Sequence, residues 1–475
     1  MSRYQMHEFL ASISGECSVT VFDALGLKEM IKLALDRTQS WEKKKCALRA
    51  PLILTLILSM ALNRHLSIYD VFKKIVRGLR IRVGKRHISL QSVTEEAVYH
   101  ARVRLGVEPV KVLFELTTDK IDSNYWFHGL RTNAIDGFFL TTPDTEDNES
   151  FFTKPVCPSG EAAFPQLKGV ALVDTENRGM RALVVGPYYM GEQGAAEELL
   201  KNLGRGDFLV IDRGLPSYSL FTKCNVADVR FMARISSNWA PEPIKRLGPG
   251  DQLVEIHDYV PATPEECRQW NQKNKRVDMR VRMIEYTFKS TGETIRLLTD
   301  LLDPKDFPAM ELAMFYHERW EIELVYDEFK THLETVLHGS TRTIFRSKTP
   351  DGVLQEVYGM AAVYNMIRIT MAQAARRVHV SPDEISFVGT LNQLRDAELE
   401  FEAAEPTAIP MLRRQLLRDI AEDRVDRPRR KRVNPRVVKT PLSKFPRKKA
   451  RHQGKYFDAE AEFQLVDRTP ERSAA

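Results

Sequence analysis

The stretch Phe315–Leu333, FYHERWEIELVYDEFKTHL, has the most specific pattern of polar and charged residues in the chain. It places Tyr316, Arg319, Glu323 and Lys330 at offsets 0, +3, +7 and +14. On a regular α-helix, at roughly 100° per residue, these four side chains fall within an arc of about 60°. A carboxylate binds divalent cations, and cationic side chains beside it bind phosphates. The pattern therefore predicts a helix face that holds a metal ion next to phosphate groups.

Length and composition are those of a multidomain globular protein. The chain has 475 residues, 43% of them hydrophobic and 9% aromatic, enough for roughly two to four domains. The five cysteines have no C-x-x-C spacing and the 11 histidines show no ligand pairing, which argues against a zinc site and a disulfide framework. We expect a protein of the reduced cytosol. The N-terminus has no apolar signal core, and the apolar run Pro51–Leu62 is short enough to predict a buried helix.

Positive charge is concentrated near the C-terminus. Residues 424–456 contain 14 Lys or Arg and one acid, so this segment carries +13, whereas the whole chain carries +6 and the remainder −7. A solvated, disordered terminus is one interpretation of this Pro-interrupted tail. Its charge density favours the other interpretation, contact with a polyanion. Neutralisation of several phosphates would make such binding fall steeply with salt.

Helical patterns come first along the chain. Residues 18–80 have apolar residues at helical spacing, and Ser92–Glu96 contain an N-cap signal for a further helix. Basic residues between Lys73 and Arg86 give this region a positive edge. That edge predicts either a DNA-binding surface or an ordinary solvated helix surface.

A mixed α/β pattern begins near Asn133. AIDGFFLTTPDT predicts a strand, and the segment that follows predicts a hairpin with its turn at Glu176–Gly179. Asp207–Asp212 predicts a short buried strand. Residues 225–300 are strand-like, with one weak helix near 265–272, before helical patterns return. Strands around helices predict a mixed α/β sheet with a β-rich insertion.

Three acids are candidates for a metal site. Asp136 lies on the first strand of the α/β region, Asp212 ends a later strand, and Glu323 lies on the motif helix. Carboxylates from the ends of adjacent strands and from a packed helix can converge on a pair of divalent cations. Since most acids at strand ends are solvated caps, spacing alone does not decide the assignment.

Other acids compete with this triad. Asp327 falls on the same helix face as Glu323, so helix geometry alone does not choose between them. Asp174 is predicted to be a turn residue. Asp144 and Asp147 are either metal ligands or loop acids, and the prediction is that they are loop acids. The pattern of residue types leaves these alternatives open.

The spacing Tyr-x2-Arg-x3-Glu-x6-Lys resembles the signature of bacterial DDE transposases of the insertion-sequence-four type. AIDGFFLTTPDTEDN and FLVIDRG resemble the family's first-Asp and second-Asp blocks, and SVTEEAVYHARVRLG resembles its N-terminal block. The strand-rich segment lies between the second Asp and the Glu, where this family places an insertion. The resemblance spans residues 20–450 of the sequence. The signature spacing favours Glu323 over Asp327 as the third acid of the candidate site.

The resemblance implies an α/β fold with a ribonuclease-H-like catalytic domain. The implied catalytic and metal-binding triad is Asp136, Asp212 and Glu323. The implied DNA-contacting residues are Tyr316, Arg319 and Lys330. The family's cofactor is Mg²⁺, as two ions, for which Mn²⁺ can substitute.

The implied reaction is cut-and-paste transposition. The enzyme would cleave strands at terminal inverted repeats and transfer the freed 3′-hydroxyl to target DNA, as a homodimer on double-stranded DNA in the bacterial cytoplasm, at the nucleoid. Family members often excise through a hairpinned end with a flipped base. This chain has Arg296 where some members carry a stacking Trp, and Trp239 is either a substitute or a core residue. Two other function classes stay open, a catalytically silent DNA-binding repressor and a stand-alone structure-specific nuclease.

Five consecutive domains or parts of domains are expected from these patterns. They are a helical N-terminal DNA-binding domain at 1–125, the first part of the catalytic core at 126–224, a β-rich insertion at 225–305, the second part of the core with the motif helix at 306–400, and a C-terminal region with the basic tail at 401–475.

Overall fold

A computed structural model gives the structure of the protein. It describes residue 10 and residues 17–43, 46–82, 93–121, 126–157, 160–261, 274–289, 292–332, 345–425, 432–433 and 457–466. Several sequence-based expectations lie outside the described residues. These are Lys85 and Arg86 of the basic edge, the weak helix near 265–272, and most of the basic tail at 424–456.

The described α-helices are distributed over the whole chain. They are α1 Leu27–Arg37, α2 Ala50–Leu62, α3 Ile68–Arg82, α4 Glu95–Leu105, α5 Glu108–Thr118, α6 Glu146–Phe152, α7 Glu192–Leu199, α8 Tyr218–Val226, α9 Ala309–Phe315, α10 Glu321–Asp327, α11 Pro350–Arg377, α12 Phe387–Ala403, α13 Ile409–Glu422 and α14 Ala459–Glu462.

The described β-strands lie mainly in the middle third of the chain. They are β1 Arg131–Thr141, β2 Val156–Cys157, β3 Gly160–Glu161, β4 Gln166–Asp174, β5 Met180–Pro187, β6 Asp207–Ile211, β7 Arg230–Arg234, β8 Glu242–Gly248, β9 Asp251–Pro261, β10 Asn274–Phe288, β11 Thr294–Thr299, β12 Arg432–Val433, β13 Phe457–Asp458 and β14 Phe463–Leu465.

The chain divides into two compact units. The first comprises Met1–Asn124, Asp136–Asn202 and Ile322–Pro428, and the second comprises Tyr125–Ile135, Leu203–Glu321 and Arg429–Ala475. Strand β1 passes from the second unit to the first between Ile135 and Asp136. The five predicted domain intervals stay a prediction.

Helix α11 is the central element of the first unit, and α2, α5 and α13 pack against it. Helix α2, APLILTLILSMAL, is apolar on all sides, and every one of its residues is buried. The prediction of a buried helix at Pro51–Leu62 is therefore confirmed. The predicted N-cap is confirmed as well, because the Thr94 side chain accepts a hydrogen bond from the Ala97 N–H and begins α4.

The first unit also contains the predicted hairpin. Strands β4 and β5 pair antiparallel from Leu167↔Pro187 to Val173↔Met180. In the turn, Asp174 Oδ1 accepts the N–H groups of Glu176 and Asn177, at 2.9 and 3.0 Å. The prediction that Asp174 is a turn residue is confirmed.

The second unit is built on a mixed sheet with the order β1-β6-β7-β11-β10-β9-β8, and β14 also pairs with β10. The β1–β6 and β6–β7 pairs are parallel, whereas the other pairs in this sheet are antiparallel. The protein is thus a mixed α/β protein with a mostly antiparallel central sheet. The strands of the segment that was predicted to be β-rich extend this sheet.

The tight turn between β8 and β9 lies at Gly248-Pro249-Gly250. Gly250 has a φ of +60°, and a Cβ at this position would lie 2.3 Å from the carbonyl oxygen of Glu285. Both the backbone conformation and the close approach of β10 therefore require glycine here.

The parallel pairing of β1 with β6 ends at Ile135↔Ile211. The residues that follow these two partners in the sequence are Asp136 and Asp212. Asp212 comes directly after the end of β6, as predicted. Asp136 lies on β1, as predicted, but it is not at the strand end, because β1 continues to Thr141.

The motif segment is not one regular α-helix. A 3₁₀-helix at Tyr316–Trp320 follows α9, and a π-helical turn at Glu328–His332 follows α10. A 3₁₀-helix advances by about 120° per residue, and a π-turn is wound more loosely than an α-helix. The single 60° arc that was predicted for the four motif residues assumed α-helical geometry throughout, and that assumption is wrong.

A cluster rich in aromatic side chains forms the core of the second unit around the start of this segment. Phe127, Phe208 and Phe315 pack their rings within 5.5 Å of one another, centroid to centroid. Tyr316 and Tyr286 belong to the same core. Among the described residues, no helix combines the length and apolarity needed to cross a membrane.

Candidate active site

In the second unit, Asp212 is in contact with two residues of the motif segment. The Tyr316 hydroxyl donates a hydrogen bond to Asp212 Oδ1 at 3.3 Å, and Arg319 Nε lies 3.6 Å from the same oxygen. The 3₁₀-helical turn separates Tyr316 and Arg319 by three residues, which is one full turn and brings both side chains to one face. The structure therefore brings together three residues that two separate sequence motifs predicted.

Burial sets the protonation state of Tyr316 and of the adjacent His317. Tyr316 and Arg319 are only 2% and 3% exposed, whereas the Asp212 side chain is 37% exposed. Burial raises the pKa of Tyr316 well above its usual value, and the neighbouring Asp212 carboxylate contributes to the shift. The phenol consequently stays protonated and acts as a donor to Asp212. Burial lowers the pKa of the adjacent His317 to about 4, so this imidazole is neutral at pH 7.

In the first unit, both the C=O and the N–H of the peptide group that joins Asp136 to Gly137 form hydrogen bonds. The Tyr326 hydroxyl donates to the carbonyl oxygen of Asp136. The N–H of Gly137 donates to Asp136 Oδ1 at 2.8 Å. The Asp136 side chain is half-buried, and one of its oxygens is oriented by its own backbone.

Glu323 and Lys330 also belong to the first unit. Glu323 lies on α10 and is half-buried. Lys330 lies in the π-helical turn, and its ammonium group is 5.3 Å from the centroid of the Phe138 ring and 5.4 Å from that of Tyr326. Cation–π attraction of this kind is worth about 0.5–1 kcal/mol at exposed sites and more where the cation is desolvated.

A buried ionic network fixes the start of the π-helical turn. Glu328 Oε1 lies 3.3 Å from Arg178 Nη1 and 3.6 Å from Arg368 Nη1, and Glu328 Oε2 accepts the Tyr364 hydroxyl at 2.9 Å. Arg178 has a φ of +56° in the hairpin turn, and Tyr364 also donates to its carbonyl oxygen. Residues from the hairpin, from α11 and from the motif segment thus meet at one carboxylate.

The acids that compete with the triad lie on different structural elements. Asp327 is exposed on α10, and Asp144 is exposed in a loop, bridged to Lys154 at 2.9 Å. Asp147 lies in the first turn of α6, so its prediction as a loop acid is wrong. An acid in the first turn stabilises a helix through the helix dipole, which gives Asp147 a structural role.

Trp239, the predicted candidate for base stacking, and Trp320 both lie in the second unit. Trp239 is half-buried with its ring 5.8 Å from Phe221, and Arg296 donates to the Trp239 carbonyl oxygen at 3.2 Å. This arrangement favours a packing role for Trp239. Trp320 is 37% exposed, and the Arg319 guanidinium carbon lies 5.2 Å from its ring centroid.

The donor chemistry of the predicted triad fits a hard divalent cation. All three members, Asp136, Asp212 and Glu323, are partly accessible carboxylates, which Mg²⁺ prefers as ligands together with water and phosphate oxygens. In the part of the chain that the structure describes, no three His, Cys, Asp or Glu side chains already form a cluster suited to a metal ion. The chemistry of the donors, and not an assembled cluster, supports the assignment.

Sequence reasoning did not identify Tyr326 or the partners of Glu328. Tyr326 lies three residues after Glu323, and on a helix this spacing places two side chains on neighbouring positions of one face. That spacing was a usable signal. Arg178 and Arg368 are distant in sequence from Glu328, and no local pattern indicates their contact.

Comparisons with known proteins identify the family. Residues 128–366 match the family model described as a transposase DDE domain, and residues 17–115 match that of the insertion element 4 transposase N-terminal region. The transposase InsG for insertion sequence element IS4 of Escherichia coli is 31% identical over 324 residues, which cover 67% of this chain and 70% of that protein. A cryo-EM structure of the piggyBac transposase synaptic complex with hairpin DNA is 12% identical, covers 78% of this chain and 75% of its own, and has a TM-score of 0.40.

The last of these likenesses is too weak to carry an argument about this chain. The DDE match, which extends over half of the sequence, and the identity to the Escherichia coli transposase confirm the resemblance that the motifs indicated. They support a transposase that acts on DNA. The chain therefore belongs to the DDE transposases of the insertion-sequence-four type.

Proposed function

We propose that this transposase moves its element by a cut-and-paste mechanism, cleaving DNA at the terminal inverted repeats and joining the freed ends to target DNA. The observation that carries the proposal is the contact of Asp212 with Tyr316 and Arg319. Tyr316 is 104 positions from Asp212 in sequence. Contact between residues of two separate motifs supports a shared chemical role for them.

The proposed metal ligands are Asp136, Asp212 and Glu323, and the proposed cofactor is a pair of Mg²⁺ ions, replaceable by Mn²⁺. DDE transposase domains generally use divalent metals. Bound ions of this kind activate the attacking oxygen and stabilise the leaving one in phosphodiester chemistry. Neighbouring side chains of the protein orient the carboxylates. The Tyr316 hydroxyl donates a hydrogen bond to Asp212, and the positive charge of Arg319 offsets the negative charge of the Asp212 carboxylate.

The strand that is transferred is proposed to pass through two phosphodiester steps, and excision also requires a cut in the opposite strand. In the first, water attacks the phosphorus at the end of the element, and the bond to the 3′-oxygen breaks, which leaves a 3′-hydroxyl on the element. In the second, that hydroxyl attacks a phosphorus in target DNA, and the 3′-oxygen of the target strand leaves. Both steps exchange one phosphorus–oxygen bond for another.

The proposed DNA contacts are made by Tyr316, Arg319 and Lys330. A guanidinium has five donors, so Arg319 can face Asp212 and still bind a phosphate. We further propose a ribonuclease-H-like catalytic core from residues 126–224 and 306–400, interrupted by the β-rich insertion. The helical domain at 1–125 and the basic tail would bind the inverted repeats, and a homodimer would hold both ends.

The test is a cleavage assay with labelled duplexes that carry the inverted repeats bordering the coding sequence. We expect cleavage at the repeat end in Mg²⁺ or Mn²⁺, no cleavage in EDTA, and no cleavage of a duplex with a scrambled repeat. Addition of a supercoiled plasmid should give joined products whose new bonds map to the 3′-ends of the element.

The two competing functions predict different outcomes of the same assay. Binding to the repeat without cleavage in either metal ion would identify a catalytically silent DNA-binding protein. Cleavage that ignores the repeat sequence, with no joined product, would identify a structure-specific nuclease. Either result overturns the proposal.

Arg319→Ala is expected to lower the cleavage rate about 10²–10³-fold, a loss of the size that removal of one preorganised oxyanion-hole donor causes in other enzymes. Arg319→Lys keeps the charge but loses the planar fork, and we expect it to recover only a small part of the rate. The measurement is single-turnover cleavage of the repeat duplex at saturating enzyme.

The matched control is Lys305→Ala, which removes an exposed cation from the same unit. This variant should cleave at close to the wild-type rate. If Arg319→Ala also retained wild-type cleavage, a role for its guanidinium at the scissile phosphate would be excluded.

A further inference from the structure

Tyr326 makes three contacts within the first unit, two of them with residues of the proposed site. Its hydroxyl donates to the Asp136 carbonyl oxygen. Its ring lies 4.9 Å from the Phe138 ring, and the Lys330 ammonium is 5.4 Å from its centroid. The family resemblance implies roles for Asp136 and Lys330 but none for Tyr326, the side chain that contacts both.

The hydrogen bond from the Tyr326 hydroxyl influences the Asp136 carboxylate through a single rigid group, the Asp136–Gly137 peptide. The carbonyl of Asp136 and the N–H of Gly137 belong to the same peptide, which is planar. Fixing the carbonyl direction therefore fixes the N–H direction, and that N–H donates to Asp136 Oδ1 at 2.8 Å. A bond to the carbonyl oxygen also polarises the peptide and strengthens the bond from its N–H.

The ring contact is held in a tightly packed layer. Phe138 lies against Gly169 of β4, where a Cβ would approach the Phe138 ring to 2.4 Å. Phe138 also packs against Phe329, at 5.8 Å between ring centroids. Tyr326 is 7% exposed. The two rings beneath the Lys330 ammonium are thus confined on several sides and present a fixed surface to it.

We propose that Tyr326 is a positioning residue of this transposase. Its hydroxyl orients the Asp136 carboxylate for metal binding, and its ring supports the Lys330 ammonium for DNA binding. The inference rests on the proposed roles of Asp136 and Lys330. It adds that one side chain, Tyr326, supports both residues: its hydroxyl acts on Asp136 and its ring acts on Lys330.

Tyr326→Phe tests the hydroxyl alone, since it leaves the ring in place. We expect cleavage to fall roughly tenfold or more and Mn²⁺ to bind several-fold more weakly, as loss of a residue that orients a metal ligand does in other sites. Affinity for the repeat duplex should change little. Mn²⁺ binding is measured directly by electron paramagnetic resonance, without reference to turnover.

The matched control is Tyr69→Phe. The Tyr69 hydroxyl also donates to a backbone carbonyl, that of Val93 at 2.6 Å, among the N-terminal helices. It should leave Mn²⁺ affinity as in the wild type. A thermal melt of both variants separates a loss of positioning from a loss of folding. If Tyr326→Phe matches Tyr69→Phe in Mn²⁺ affinity, the role of the hydroxyl is refuted.

Tyr326→Leu tests the ring. Beyond the effect of Tyr326→Phe, we expect weaker binding of the repeat duplex and a smaller dependence of that binding on salt, because Lys330 loses its support. Duplex affinity equal to that of Tyr326→Phe would refute this half of the inference.

Asp136→Asn distinguishes this inference from the proposed function. If Asp136→Asn retains cleavage, the site assignment itself fails. If Asp136→Asn abolishes cleavage and Tyr326→Phe has no effect, the site assignment stands and only the role of Tyr326 is wrong.

Discussion

Glu323→Gln is expected to reduce end cleavage by about three orders of magnitude while binding of the repeat duplex persists. The substitution keeps the shape of the side chain and replaces a carboxylate with a neutral amide, which is a poor ligand for a hard cation. Lewis-acid stabilisation by a catalytic metal is worth several kcal/mol. At 1.36 kcal/mol per tenfold, about 4 kcal/mol corresponds to a 10³-fold loss of rate. The measurement is single-turnover cleavage, alongside a gel-shift titration.

Asp327→Asn is the matched control, because Asp327 lies on the same helix and was its rival on helix geometry alone. Asp327 is exposed and Glu323 is half-buried. We expect Asp327→Asn to cleave at close to the wild-type rate. Loss of cleavage in Asp327→Asn with normal cleavage in Glu323→Gln would transfer the proposed ligand role to Asp327.

Asp136→Asn and Asp212→Asn should each lower the rate of end cleavage about as much as Glu323→Gln. Combining two of the substitutions should add little, since groups that act as a unit are strongly non-additive. Losses that multiply would show that the acids act independently and would contradict a shared metal site.

Local patterns were sufficient to predict the elements whose structure depends on their own sequence. The apolar run of α2 has no polar face, so burial is its only stable environment. The Asp174 turn is likewise predictable, because an Asp side chain binds backbone N–H groups two and three residues ahead. Strand β6 was recognisable as a short buried run.

The shape of the motif segment was not predictable in this way. Its residues are compatible with a regular helix, and local propensity does not distinguish the 3₁₀, α and π forms. Glu328 begins the π-helical turn and binds Arg178 and Arg368, which lie 150 and 40 residues away in the sequence. Tertiary ion pairs of this kind select the helix form, and a single sequence does not reveal them.

The candidate site was predictable as a set of residues but not as a set of contacts. Family spacing selected Asp212, Tyr316 and Arg319 from many similar residues. It assigned Tyr316 and Arg319 to DNA, whereas the structure adds their contact with Asp212. Such a contact depends on the packing of β6 against the 3₁₀-helix, which has no local signature.

Glu356→Gln is expected to have the largest effect on stability, about 3–5 kcal/mol in the free energy of unfolding. Glu356 is fully buried in α11 and binds Arg64 at 3.1 Å and Arg346 at 3.2 Å. It also accepts the Ser347 hydroxyl at 2.7 Å. Removing one partner of a buried ion pair leaves the other charge uncompensated, and such changes typically cost this much. The measurement is urea unfolding at pH 7.

Glu400→Gln is the control for that measurement, because it removes the same charge from an exposed position on α12. Its effect should stay within about 0.5 kcal/mol. A loss of similar size in both variants would show that net charge, and not the buried network, sets the stability.

The pH dependence of the Glu356→Gln effect separates charge from packing. Burial alone would raise the pKa of Glu356, but Arg346, Arg64 and Arg102 outweigh it and lower the pKa below its usual value. A carboxyl group with a lowered pKa in the folded state contributes stability above its unfolded pKa of about 4.3, and that contribution is lost as the pH falls through the folded value. The difference between wild type and Glu356→Gln should therefore be full at pH 7 and shrink below pH 4.3. A difference that stays constant down to acid pH would mean that the buried carboxylate stabilises the fold through its shape and hydrogen bonds, with no contribution from its charge.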